Sequence, residues 1–191
     1  MMVLFDATTL LLLFAADAGV PTDSSGAEIT FPKARIEGLV MDLTKSKTKI
    51  VIPTPALSEV LVRAGGKAGP EYLAKIRKSA CFRIEAFDER AAIEVALMTK
   101  AAIDKGDKKS GSDETWAKVK YDRQIVAIGK VHSVTAVYSD DRGVRSFGNG
   151  QGLRVIGVGE LPIPNAAAQK DWVHELGDHP AEVAAAPSQA E

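Results

Sequence analysis

Asp6, Glu59, Asp122, Asp140 and Asp141 are the residues whose types and placement could do chemistry. Asp6 follows the apolar run Met2-Val3-Leu4-Phe5. Glu59 lies in the first turns after the run Lys49-Ile50-Val51-Ile52. Asp122 is expected to open a helix, and Asp140 and Asp141 follow the β-branched run Val134-Thr135-Ala136-Val137-Tyr138. In parallel α/β sheets, ligands bind at the carboxyl ends of strands. Asp6 and the Asp140-Asp141 pair sit at such ends, and Glu59 and Asp122 lie within one or two helical turns of an element boundary. Carboxylates gathered in one place repel one another and call for a cation. Oxygen ligands without His or Cys select Mg²⁺ or Mn²⁺. An ion held in this way activates water and neutralises charge on a phosphate, as in metal-dependent nucleases. Asp88 and Asp141 also fit as helix N-caps, and Glu59 as a surface residue. Asp6 is harder to dismiss, because burying an unpartnered carboxylate at the rim of a sheet is expensive.

The elements that must position these acids follow from periodicity and turn residues. The apolar runs at 2–5, 49–52, 134–138 and 153–156 and the alternating segment 82–87 read as strands. Helices are expected over Ala7–Phe14, over Lys33–Lys45, from Thr54-Pro55 to the break at Gly65-Gly66, and from Gly69-Pro70 onward. Another is capped by Asp88, with a stripe of Ala92, Val95, Ala96 and Ile103. A further helix runs from Tyr121 to about His132. Residues 17–32, rich in Gly, Pro, Ser and Thr, and residues 104–114, rich in Lys, Asp, Ser and Gly, read as loops. Strands alternating with helices predict an α/β fold: a three-layer α/β/α sandwich with a central, mainly parallel sheet.

The composition of the 191 residues is that of a soluble globular chain, with 46% hydrophobic and 26% charged residues. The single cysteine, Cys81, excludes an internal disulfide and a Cys-based zinc cluster, and fits a reducing, cytoplasmic setting. No apolar run approaches the roughly 20 residues of a membrane span. A signal peptide is not expected, because the start lacks Lys and Arg and Asp6 interrupts the apolar stretch. The net charge of −1 conceals a division. Residues 1–32 carry −4, residues 33–159 carry +8 and residues 160–191 carry −5. A basic body of this kind attracts polyanions. The Ala/Pro-rich acidic segment 165–191 is expected to be a flexible tail to a domain spanning 1–164.

Four segments resemble, in order, the motifs of PIN-domain ribonucleases, and most of all the VapC-type toxins of bacterial toxin–antitoxin systems. They are Val3-Leu4-Phe5-Asp6-Ala7-Thr8, Pro53-Thr54-Pro55-Ala56-Leu57-Ser58-Glu59-Val60, Tyr121-Asp122-Arg123-Gln124-Ile125-Val126-Ala127-Ile128-Gly129 and Tyr138-Ser139-Asp140-Asp141. The resemblance spans roughly residues 2–160. It implies a Mg²⁺- or Mn²⁺-dependent endoribonuclease whose metal is held by Asp6, Glu59, Asp122 and Asp141, with Asp140 contributing. Thr8 and Ser139 would orient carboxylates or water. Lys118, Lys120, Arg123 and Arg142 would meet the RNA. A cognate antitoxin is implied as a partner. A homodimer is expected through the apolar faces near Lys33–Lys45 and Tyr72–Ile76.

Three features depart from the family pattern. Fifty-two residues separate Asp6 from Glu59, Lys118 and Lys120 precede Asp122 where a hydrophobe-rich approach is usual, and two acids stand side by side at 140–141. The alternative is a PIN-like scaffold without catalysis that binds RNA or protein. A haloacid-dehalogenase-like phosphotransferase would want an acid two residues after Asp6, where Thr8 stands. A receiver domain would want adjacent acids after its first strand, which are absent.

Overall fold

A computed structural model describes residues 1–15, 17–23 and 25–165. The acidic tail expected at 165–191 therefore lies, from residue 166 on, outside the described residues. Five strands form one sheet: β1 (Met2–Phe5), β2 (Lys49–Pro53), β3 (Phe82–Glu85), β4 (Val137–Tyr138) and β5 (Val155–Ile156). Their order is β3-β2-β1-β4-β5 and every neighbouring pair is parallel. The helices are α1 (Ala7–Phe14), α2 (Pro32–Lys45), α3 (Thr54–Lys78), α4 (Glu89–Asp104), α5 (Trp116–Val131) and α6 (Arg142–Gly150). With right-handed crossovers, α1 to α3 cover one face and α4 to α6 the other, giving three layers. The expected α/β/α sandwich is borne out.

The middle of the sheet is dry. Leu4, Phe5, Ile50, Val51, Ile52 and Val137 are fully buried, as expected of parallel strands covered on both faces. Leu4 lies opposite Val137 and Phe5 opposite Tyr138, whose rings meet edge to face with centroids 5.4 Å apart. After β1 the chain turns to one face of the sheet, and after β4 to the other. The crevice at this reversal of strand order is where ligands bind in open α/β sheets. Asp6 and Ser139-Asp140-Asp141 stand at its mouth.

Several boundaries follow from local chemistry. The break expected at Gly65-Gly66 is a kink within α3, where Gly65 takes φ 68° and ψ −176°. A side chain is disfavoured in that conformation. Asp88 caps α4 by accepting from Ala91 N. The stripe expected on α4 is displaced. Ala91, Met98 and Ala102 are buried, whereas Ala92, Ala96 and Ile103 face out together with Ile93 and Leu97. Helix α5 begins at Trp116, earlier than the expected Tyr121, because Thr115 caps it by accepting from Lys118 N. Parts of the apolar faces expected to pair two chains pack within this one. Ile36, Leu43, Tyr72 and Ile76 are all buried in its own core.

Candidate active site

Strand β1 delivers Asp6 to the sheet rim, where it is 3% exposed. Ser139, directly after β4, donates its hydroxyl to Asp6 Oδ2 at 2.7 Å, and Ser139 Oγ itself accepts from Asp141 N at 3.0 Å. One side chain thereby fixes two acids. Thr8 Oγ1 accepts from Asp140 N at 3.2 Å, and Thr9, which the motif reading did not single out, donates to Tyr138 O at 2.8 Å. Both threonines bind the start of α1 to the end of β4.

Asp122 comes from the second turn of α5, not from its first residue, and is 0% exposed. The earlier helix start sets Lys118 and Asp122 four residues apart on one face. Lys118 Nζ reaches Asp122 Oδ1 at 2.6 Å and Asp141 Oδ2 at 2.8 Å. Asp141 Oδ1 also caps α6, accepting from Val144 N at 3.0 Å. Asp122 Oδ2 is buried with no hydrogen-bond partner among the described residues. Gly143 lies against it: a Cβ there would come 2.0 Å from Asp122 Oδ2 and 3.1 Å from Asp141 Oδ1.

Electrostatics follow from this packing. Burial pushes Asp6 up to about 6, against the hydrogen bond from Ser139. Burial likewise raises Asp122 to about 6, opposed by Lys118. Burial pulls the Lys118 ammonium down, but the hydrogen bonds it donates to both carboxylates outweigh this and hold it above the usual lysine range. Asp141 is held low: burial would raise it, and the bonds from Lys118 and Val144 N prevail.

The remaining candidates are placed as follows. Asp140 turns away from Lys118 and accepts from Val158 N at 2.9 Å; burial raises its carboxyl. Glu59 does not join Asp6, Asp122 and Asp141. It is 37% exposed and paired with Arg63 at 3.1 Å. Arg63, Thr8 and Asp140 line a cavity of about 560 Å³ beside the rim. Arg142 is exposed in a polar cleft that also holds Arg35 and Arg145, and Lys120 is exposed near the Trp116 ring.

Two of the four bases expected to meet RNA are not surface groups of that kind. Lys118 is turned into the carboxylates by its spacing from Asp122. Arg123 is 1% exposed. It donates to Thr99 Oγ1, Lys108 O and Ser110 Oγ and lies between the rings of Trp116 and Phe147. This buried arginine ties the 105–115 loop to α4 and α5.

The donors are carboxylates only, one of them with a buried and unsatisfied oxygen beneath a glycine that leaves it room. That chemistry fits a hard ion. The present arrangement is not a ready cage: among the described residues no group of three or more His, Cys, Asp or Glu is placed to hold a metal ion. Lys118 takes the position between Asp122 and Asp141. Among the described residues no helix is long and apolar enough to cross a membrane.

No protein-family model matches the chain, and no curated protein sequence does. Solved structures do. A chain of VapBC2 from Rickettsia felis, crystallised with a DNA fragment from its promoter, matches with TM-score 0.54 at 11% identity, over 82% of this chain and 98% of that one. DNA-bound VapBC from Salmonella typhimurium matches with TM-score 0.54 at 16% identity, over 83% and 98%. VapBC-1 from nontypeable Haemophilus influenzae matches with TM-score 0.51 at 10% identity, over 83% and 98%. At these identities the likeness is one of fold. It bears out the PIN-like architecture that the four motifs implied.

Proposed function

We propose that the chain is a metal-dependent endoribonuclease of the VapC type, the toxin of a toxin–antitoxin pair. The observation that carries this reading is the meeting of Asp6, Asp122 and Asp141 around Ser139 and Lys118 at the switch point of a PIN-like sheet. These three carboxylates would hold Mg²⁺ or Mn²⁺. When bound, such an ion supplies charge neutralisation at a phosphodiester and activation of water. The chain's own residues do the rest. Ser139 keeps Asp6 and Asp141 in register through one hydroxyl, and Thr8 holds the Asp140 backbone. Asp6 is buried and forms the floor of the site. Lys120 and Arg142, both exposed, contribute to drawing the RNA backbone toward the rim. Glu59, which pairs with Arg63, would act on the same substrate from outside the carboxylate cluster.

The VapBC assemblies among the fold neighbours support an antitoxin as partner. Self-association as a homodimer and action on cytoplasmic RNA belong to the same reading. A second reading keeps the fold as a binding scaffold without catalysis, and the Lys118 ammonium between two of the acids favours it.

The test is to incubate the pure chain with a mixed RNA pool, first with Mg²⁺ and then with EDTA, beside Asp122→Asn. Discrete cuts that need Mg²⁺ and vanish in the variant support the nuclease. RNA left intact by the parent at all Mg²⁺ and Mn²⁺ concentrations leaves the scaffold.

A further inference from the structure

We infer that Lys118 is a built-in counter-cation for the carboxylate rim, and that a divalent cation binds by exchange with its ammonium. The inference deepens the metal-dependent reading and rests on it. Asp6, Asp122 and Asp141 converge where water is scarce, so their charges need compensation whether or not a metal is bound. Lys118 supplies one positive charge, with Nζ at 2.6 Å from Asp122 and 2.8 Å from Asp141. It leaves Asp122 Oδ2 buried and without a hydrogen-bond partner among the described residues.

The two cations exclude one another. A Mg²⁺ ion at about 2.0–2.1 Å from the same oxygens would lie almost on the ammonium. Lys118 can give way, because its side chain is about one-third exposed while Asp122 is enclosed. Gly143 backs Asp122 Oδ2 closely, a Cβ there falling 2.0 Å from it, so the exchange takes place on the Lys118 side. Each binding event must therefore break both ion pairs, which weakens metal affinity and preserves the rim when metal is scarce. The exposed base two residues on, Lys120, does not share this position.

The experiment is calorimetric titration of MnCl₂ into the full metal-free chain, its Lys118→Met variant and Lys67→Met, an exposed control for net charge. Lys118→Met should bind Mn²⁺ at least about tenfold more tightly than the parent, and Lys67→Met within about twofold. Without metal Lys118→Met should melt below the parent, and Mn²⁺ should raise its melting temperature more than the parent's. Should Lys118→Met not fold, Lys118→Gln, which keeps an N–H donor but no charge, is read in the same way. On the parent itself, the Lys118 ammonium NMR signal should shift when Mg²⁺ is added.

Equal or weaker Mn²⁺ binding by the variant, beside a parent that binds, overturns the exchange and leaves the metal site standing. So does an ammonium signal unmoved while Mg²⁺ binds. Failure of both parent and variant to bind Mn²⁺ at millimolar concentration overturns the exchange and the metal-dependent reading together. Binding by the variant alone supports both.

Discussion

Replacing Asp6 by Asn should stabilise the metal-free chain at neutral pH. The Asp6 carboxyl is buried against Phe5 and the start of α1, and burial lifts it from 3.8 to about 6. The folded chain therefore binds a proton there more readily than the unfolded chain does. The carboxylate destabilises the fold above pH 3.8; the penalty grows through the window up to about 6 and is constant beyond it. At pH 7 the shift corresponds to about 3 kcal/mol, and at pH 4 to about 0.5 kcal/mol. Asn keeps the shape of the side chain and an oxygen that can accept from Ser139 Oγ. Urea denaturation of parent and Asp6→Asn in EDTA, from pH 4 to pH 8, reads the difference directly. The variant should gain up to about 3 kcal/mol at pH 7, and the gain should shrink toward about 0.5 kcal/mol at pH 4. Adding Mg²⁺ should raise the parent's stability and the variant's much less, because the variant has lost a charge the ion would neutralise. A variant less stable than the parent at pH 7, or a difference that does not narrow on acidification, would refute the reasoning.

Three further outcomes follow from packing. Gly143→Ala places a methyl 2.0 Å from Asp122 Oδ2, so it should cost about 1–3 kcal/mol in thermal or urea melts and slow RNA cleavage as Asp122 is pushed aside. Arg123→Met removes the hydrogen bonds to Thr99, Lys108 and Ser110; it should cost about 2–4 kcal/mol and open the 105–115 loop to limited proteolysis. Gly65→Ala puts a β-carbon on a backbone of φ 68° and ψ −176°, and should cost about 1–3 kcal/mol by urea denaturation without changing Mn²⁺ affinity.

What the sequence made legible was local. Val3-Leu4-Phe5 reads as a buried strand, so the acid after it is expected at a rim. The order of strands and helices was enough for a parallel sheet, and Gly65-Gly66 marked the bend in α3. What was not legible needed another element. The register of α4 slipped because Ile93 and Leu97 are apolar yet exposed, so the hydrophobic pattern no longer marked the inner face. Arg123 is a surface residue by type; only Trp116, Phe147 and the 105–115 loop, folding over it, make a buried arginine stable there. Lys118 was discoverable in principle. A cap at Thr115 sets the helix start, and a lysine four residues before a buried aspartate then becomes its partner. The adjacent acids could be told apart only in three dimensions, where Asp141 shares Lys118 and Asp140 turns to Val158.

The most direct test is the anomalous scattering of manganese in crystals of the parent chain, grown at a Mn²⁺ concentration that supports RNA cleavage. The account predicts a peak at the rim, bound by carboxylate oxygens of Asp6, Asp122 and Asp141, with Lys118 Nζ moved away from Asp122 and Asp141. No peak there, with Lys118 still bridging the two carboxylates while RNA is cut, would contradict it.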